Sequence, residues 1–288
     1  MITVPEGFGH ALPPEAATWL AGLPALAAKF CARWQLSPDG PPLHGAVGLV
    51  LPVRRADGHP AALKLTWVDE ETRGEPLALR AWDGDGAVRL LDHDDAHGAL
   101  LLERLDHTWS LLDVPIEQAL LVAGGLTRRL RTPAGPEFRR WRVPDLVAQN
   151  AAAGGPVPAR LVAMAVEVGR ELVADAGGTL VNEDLHYANV LRGEREPWLA
   201  IDPKPLAGDR EVGLIALLRN RVAELDGERG LRERFAALVD IAELDVERAR
   251  RWVFHRAVAS WPWCVEKGYA DTAEVLAAMA RLFSGRVA

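Results

Sequence analysis

The sequence predicts a mixed α+β chain in two lobes, with an antiparallel sheet and one helix in the first and mostly helices in the second. Three observations predict it. Short β-prone runs crowd residues 43 to 105, helical periodicity dominates after residue 106, and 288 residues exceed what one compact core usually organises. The expected division is residues 1–105 and residues 106–288.

Residues 14 to 35, PEAATWLAGLPALAAKFCARWQ, carry apolar positions at mixed three and four spacing and read as one or two amphipathic helices, which the Pro/Gly cluster SPDGPP then ends. HGAVGLVLPVRR and PAALKLTWV are β-prone runs separated by ADGH, whose Asp57-Gly58 pair signals a hairpin. VDEETRGEPLALRAWDG predicts a helix of about three turns, although Pro76 is tolerated only near a helix start and argues for a later beginning. AVRLLDHD and GALLLERL complete the sheet. PIEQALLVAGGLTRRL and ARLVAMAVEVGRELVADAG are the clearest helices of the second lobe, β-prone pieces return at GTLVN, NVLRG and PWLAID, and helices resume from Glu211. The motif WPW at Trp261 to Trp263 reads as a Pro turn.

A formal net charge of -7 and no basic stripe argue against a nucleic-acid partner, since duplex binding depends on clustered Lys and Arg. An acidic surface suits a cationic small molecule instead. Cys31 and Cys264 are the only cysteines and stand far apart, so neither a disulfide framework nor a Cys-based zinc site is indicated. MITVPEGFGHALPP lacks a basic segment followed by an apolar one, and no run of eighteen apolar residues occurs, so the expected location is the cytoplasm, with no membrane contact. Nothing in the sequence demands more than a monomer.

The segment LVNEDLHYANVLRGEREPWLAIDPKP concentrates the chemistry. Asp184 and Asn189 lie five apart among β-prone pieces, and Asp202 ends the next piece, eighteen beyond Asp184. Phosphoryl transfer from ATP requires a carboxylate to accept the nucleophile's proton and oxygen ligands to hold Mg²⁺ on the phosphates. Asp184 fits the first role, Asn189 and Asp202 the second. Lys64 sits among apolar neighbours in AALKLTW, where an ammonium needs a fixed anion, and Glu75, eleven residues on, is placed to supply it. A strand lysine poised by a helix glutamate is the arrangement that grips the α- and β-phosphates of ATP.

With those residues in view, the chain resembles the aminoglycoside phosphotransferase family, in particular its streptomycin 6-phosphotransferase and hydroxyurea phosphotransferase branch. The resemblance rests on PVRRADGHPAALKLTW, LALRAWDGDGAVRLLDHD, GALLLERLD, DLHYANVL, EPWLAIDPKPLAGD and LLRNR. It implies a bilobal protein-kinase-like fold and an ATP- and Mg²⁺-dependent kinase of antibiotic-like small molecules. It further implies Asp184 as base, Asn189 and Asp202 as magnesium ligands, Lys64 and Glu75 as the phosphate-gripping pair, main-chain contacts from Glu103 and Leu105 to adenine, and Gly45 at the start of a loop, GAVGLV, over the phosphates.

Two departures stand out. The family's common His-Gly-Asp is Asn182-Glu183-Asp184 here, and Asn182 is expected to keep a hydrogen bond to the metal-binding segment. Glu183 would raise the pKa of the neighbouring base if the two carboxylates were desolvated together, or else points to solvent or to a cationic substrate. An acidic residue common in relatives near Gly213 is also missing. Asp209, Trp263 and Glu266 join Glu183 as substrate candidates. His186 reads as a structural hydrogen-bonding group rather than a metal ligand. Three rival readings stay open: a non-catalytic nucleotide binder of the same fold, a metal-dependent hydrolase using the acidic loop, and a kinase of an unrelated metabolite.

Overall fold

The computed structural model describes residues 2–285. By internal contacts the chain divides into two units, Met1–His107 with Arg192–Ile201, and Thr108–Leu191 with Asp202–Ala288.

In the first unit a single 3-10 turn (Pro14–Ala16) leads into α1 (Ala17–Arg33), so the amphipathic segment forms one α-helix, with Pro24 inside it. β1 (Ser37–Pro38), β2 (Leu43–His44), β3 (Gly48–Arg54) and β4 (Pro60–Thr66) follow. α2 (Glu75–Trp82), β5 (Leu90–Asp94) and β6 (Ala99–Glu103) complete a six-stranded antiparallel sheet, with the strand order β1-β3-β4-β6-β5 and β2 paired to β3. SPDGPP thus supplies a short edge strand, β1, as well as a helix stop.

Side chains alternate across a strand. Leu49, Leu51 and Val53 of β3 lie opposite Leu65, Leu63 and Ala61 of β4, and all six pack with Leu23, Ala27 and Phe30 of α1 in one core. Burying each large apolar side chain of this kind stabilises the fold by roughly 1.5–3 kcal/mol. The same alternation turns Lys64 and Thr66 to the opposite face. Gly48 lies on that face too: a Cβ there would come within 3.3 Å of Lys64 Cε and 3.2 Å of Thr66 Oγ1.

α2 begins only at Glu75, directly before Pro76, and is eight residues long. The acidic run before it folds instead as a turn, in which Asp69 Oδ1 accepts the main-chain N–H groups of Glu71 and Thr72, each at 2.9 Å. An Asx turn of this kind competes with helix formation, which shortens the expected three turns to two.

β7 (Asp106–Ser110) precedes the mostly helical part. In the second unit α3 (Ile116–Arg129), β8 (Thr132–Pro133), α4 (Leu146–Ala152) and α5 (Ala159–Ala174) lead to β9 (Thr179–Asn182). β10 (Val190–Arg192), β11 (Trp198–Ala200) and β12 (Pro205–Gly208) come next, then α6 (Leu214–Leu218), α7 (Gly227–Ile241), α8 (Val246–Glu266) and α9 (Ala270–Phe283). β9 pairs antiparallel with both β8 and β12, and Asn182 lies opposite Pro205. Leu172, Val181, Leu206, Val212 and Trp252 form the core beneath that sheet. Pro262 lies inside α8, so WPW is helical rather than a turn. Its ring sits close to the helix end, where little of the hydrogen-bonded ladder remains to disrupt. Among the described residues no helix is long and apolar enough to cross a membrane.

The β5–β6 turn depends on Gly98. Its φ is 60°, its carbonyl accepts the Thr66 N–H at 2.8 Å, and a Cβ would stand 2.2 Å from the Thr66 carbonyl oxygen. Gly98→Ala combines a left-handed backbone with a main-chain clash, for an expected loss of about 2–4 kcal/mol. Urea denaturation checks it; a midpoint equal to the parent's would refute this account of the turn.

Candidate active site

The first unit contributes a lysine-carboxylate pair. Lys64 Nζ lies 2.7 Å from both Oε1 and Oε2 of Glu75, and the residues are only 6% and 1% exposed. Glu75 is the first residue of α2, where the helix dipole favours a carboxylate. A buried pair of this sort adds little net stability, since desolvation offsets the attraction, but it fixes the direction of the ammonium. Gly45 N–H donates to the Gly48 carbonyl at 2.9 Å, closing the β2–β3 turn. Of the two glycines, Gly48 is the one whose missing side chain leaves room beside the lysine.

Glu103 ends β6. Its N–H donates to the Arg89 carbonyl at 3.0 Å, and its carboxylate accepts from the Arg89 N–H at 2.9 Å and from Arg195 Nη2 at 2.7 Å. The Glu103 amide is therefore engaged within its own sheet. Leu105, two residues on, is buried.

The second unit contributes the acidic loop, which β9 delivers at Asn182. Asn182 Oδ1 accepts two main-chain N–H groups, from Asp184 at 3.0 Å and from Lys204 at 3.1 Å, and Glu183 N–H donates to the Lys204 carbonyl at 3.0 Å. The expected bond from Asn182 toward the segment carrying Asp202 is present. A 3-10 turn (Tyr187–Asn189) then places Asn189, whose N–H donates to the His186 carbonyl at 2.9 Å and whose Nδ2 donates to the Asp184 carbonyl at 3.3 Å.

Asp184 keeps its carboxylate partly accessible, with its side chain 17% exposed. Arg219 Nη2 stands 3.1 Å from Oδ1, and Lys204 Nζ 3.6 Å from Oδ2. Both cations lie in segments that carry the family resemblance, IDPKP and LLRNR, but neither was assigned a role from sequence. Lys204 is two residues past Asp202, and that spacing was the available signal. Asp202 itself adopts φ of 50°, a left-handed conformation costly for an L residue and concentrated at functional sites. Burial pushes the His186 imidazole below its ordinary pKa, against the opposing pull of Asp184, and its Nδ1 is buried without a partner.

Two substrate candidates turn inward instead. Glu183 is 5% exposed and lies between Arg139 and Arg256, with Arg256 Nη1 at 2.8 Å. Burial alone would raise its carboxyl, but the two guanidinium groups outweigh that and hold it below the usual carboxylate range. Neither solvent nor a cationic substrate faces it, because two internal cations already satisfy the charge. Asp209 is 6% exposed and accepts from Arg248 Nε at 2.6 Å, Trp252 Nε1 at 2.6 Å and Gly177 N–H at 2.8 Å. Its oxygens are spent on structure. Trp263 is half exposed and packs against Tyr269, with ring centroids 5.4 Å apart, and Glu266 is exposed on the same last turn of α8.

Behind Glu183 stands a packed aromatic group. The Arg256 guanidinium lies 4.1 Å from the Trp141 ring centroid, and Trp141 Nε1 donates to His255 Nε2 at 3.0 Å. His255 Nδ1 donates to the Ala165 carbonyl at 2.9 Å, which fixes a neutral tautomer. Burial pushes its pKa down to about 4. Gly169 of α5 makes room for this ring: a Cβ there would sit 2.4 Å from His255 Cε1.

The sequence over residues 33–268 matches the family model described as aminoglycoside/hydroxyurea antibiotic resistance kinase. The chain belongs to that family. A hydroxyurea phosphotransferase of Kitasatospora aureofaciens is 44% identical, over 93% of this chain and 81% of that protein. A streptomycin 6-kinase of Streptomyces glaucescens is 40% identical, over 97% of each chain. Among solved structures, a ternary complex of aminoglycoside phosphotransferase APH(4)-Ia with ADP and hygromycin B aligns at a TM-score of 0.60 and 14% identity, over 92% of this chain and 100% of that one. The choline kinase LicA of Streptococcus pneumoniae aligns at 0.60 and 12% identity, over 91% and 99%. The chain is accordingly a phosphotransferase with the bilobal α+β fold of the protein-kinase-like enzymes. Its family membership also disposes of the metal-dependent hydrolase reading.

Two predictions follow from the buried charges. Glu183→Gln leaves two guanidinium groups facing a neutral amide, with an expected loss of about 3–5 kcal/mol in chemical denaturation; an unchanged midpoint would show that the pairing carries no weight. His255 is neutral when folded and has an ordinary pKa of 6.5 when unfolded, so the unfolded chain binds the extra proton between those limits. Its contribution is complete above pH 6.5 and falls away toward pH 4, by on the order of 3 kcal/mol. Denaturation of parent and His255→Gln across that window tests this: the variant should show the shallower slope, and parallel curves would exclude His255 as the cause.

Proposed function

We propose that this chain transfers the γ-phosphate of ATP to a hydroxyl of a small antibiotic-like molecule of the streptomycin or hydroxyurea type, acting as a monomer in the cytoplasm where ATP is supplied. The observation that supports it best is the bracing of Asp184. Asn182 Oδ1 accepts the Asp184 N–H at 3.0 Å, and the carboxylate remains reachable beside two cations.

In this reading Asp184 accepts the proton of the acceptor hydroxyl as its oxygen attacks the γ-phosphorus in line. Lys64, aimed by the bidentate contact with Glu75, grips the α- and β-phosphates. The main chain at Leu105 meets adenine, a role the Glu103 N–H is less free to share because it already donates to Arg89. The β2–β3 turn from Gly45 to Gly48 covers the phosphates. Lys204 and Arg219 meet the charge that builds on the transferring phosphoryl oxygens.

Asn189 and Asp202 are the residues for magnesium, and they fit it by donor chemistry. One amide oxygen and one carboxylate are hard ligands, and Mg²⁺ typically takes few protein oxygens and completes its shell with phosphates and water. Among the described residues no group of three His, Cys, Asp or Glu is clustered for a metal held by protein alone. Magnesium, held there, would offset the charge on the phosphate oxygens.

The rival reading of a nucleotide binder without turnover rests on the Asn182-Glu183 departure. The bonds made by Asn182 weigh against it, because the amide still ties Asp184 to the segment after Asp202. Asp184→Asn should lower kcat by about 10²–10⁴-fold while leaving ATP affinity near the parent's. Coupled ADP-release assays and calorimetric titration measure the two quantities, and a variant as fast as the parent removes Asp184 as the base. The same assay run over aminoglycosides, hydroxyurea and polyols identifies the acceptor; ATP binding with no turnover on any of them would favour the rival.

A further inference from the structure

The β2–β3 turn is held from outside at both of its ends. At the first, His44 Nδ1 donates to the Gly45 carbonyl at 3.0 Å. At the second, the Trp67 N–H, just past the end of β4, donates to the Val47 carbonyl at 3.0 Å. The Trp67 carbonyl in turn accepts the Thr72 hydroxyl at 2.9 Å, in the segment that leads into α2 and Glu75.

His44 and Trp67 are the two ends of one chain of rings. The Phe8 ring centroid lies 5.4 Å from that of His44 and 6.3 Å from that of Trp19, and Trp19 meets Trp67 at 5.9 Å. Interplanar angles of 53°, 59° and 67° make all three contacts tilted or edge-on, the geometry that aromatic pairs prefer over a face-to-face stack. Phe8 is the link between the two branches. It is only 8% exposed and packs in the core shared by α1, β3 and β4, whereas Trp19 and Trp67 are half-buried and His44 is exposed. Gly7 and Gly9 flank Phe8 with φ of 86° and 102°, a backbone that lets the chain double back and set this one ring into the core. The rings at the surface are thereby tied to a fixed point in the interior.

We propose that Phe8 is a positioning residue for the nucleotide: through His44 on one side, and through Trp19 and Trp67 on the other, it holds both ends of the β2–β3 turn in place before ATP arrives. The proposal rests on the reading that the turn from Gly45 to Gly48 covers the phosphates. A turn that is already ordered loses less conformational freedom on binding, so its order appears as affinity for the phosphate chain.

Phe8→Leu keeps apolar bulk and removes the ring. Calorimetric titration should show its Kd for ATP raised about 3–10-fold, the effect of one lost aromatic contact, with the Kd for adenosine, which has no phosphates, unchanged. Phe8→Tyr restores the ring and should bind ATP as the parent does. His44→Ala, at an exposed position, should weaken ATP similarly, and the two losses combined should fall short of their sum because they cut one path. Amide exchange in Phe8→Leu should quicken at Gly45 and Trp67 and stay at the parent's rate along the β4–β6 ladder. If Phe8→Leu does not fold, His44→Ala decides alone. Parental ATP affinity in either variant, or adenosine weakened as much as ATP, would overturn the proposal. Gly48→Ala, which alters the turn directly, separates this idea from the reading beneath it. If Gly48→Ala weakens ATP while Phe8→Leu and His44→Ala do not, the proposal alone fails; if Gly48→Ala binds ATP like the parent, the role given to the turn fails, and the proposal with it.

Discussion

The acidic loop depends on one buried carboxylate. Glu183, clasped by Arg139 and Arg256, pins the chain immediately before Asp184, and the two guanidinium groups together offset the desolvation of its carboxylate. Arg256 rests on the Trp141 ring, Trp141 is tied to His255, and His255 fills the space that Gly169 leaves on α5. Helix packing some distance from the loop is thereby converted into a fixed direction for the next residue in the chain. Two buried charges and a third half-buried one are a poor source of net stability, so their value lies in fixing one arrangement over its alternatives.

The family's common His-Gly pattern is therefore replaced by two residues with separate tasks. Asn182 retains the short-range work, tying the end of β9 to the main chain beyond Asp202. Glu183 adds a long-range tie that a glycine cannot make. The departure that raised doubt about catalysis thus adds rigidity on the approach to Asp184.

How much of this was legible followed from the range of each interaction. The apolar run AALKLTW is local, so Lys64 stood out within it as an ammonium in need of a fixed anion, while the face it takes, opposite the α1 core, emerges only from the strand pairing. Glu75 could be paired with it because the chain returns after a short turn. The delayed start of α2 was half visible in Pro76, while the Asx turn formed by Asp69 was not recognised against a run of helix-compatible acids. Glu183 and Asp209 read as substrate candidates because their partners, Arg256, Arg248 and Trp252, lie more than thirty-five residues away and leave no trace in the local pattern. Pro262 read as a break for a related reason: propensity assigns it to a turn, whereas the packing of α8 carries it inside the helix.

The backbone at Asp202 limits what this protein can become. A φ of 50° is comfortable for glycine and tolerable for asparagine and aspartate, whose short polar side chains bond back to the main chain, and it is poorly suited to the longer glutamate. Charge and conformation therefore select through different filters at a single codon. The residues that fit the backbone without strain lack the carboxylate, and the other residue with a carboxylate fits the backbone badly. If the Asp202 carboxylate holds magnesium as proposed, sequence drift should reshape the surface around this position long before it touches the position itself.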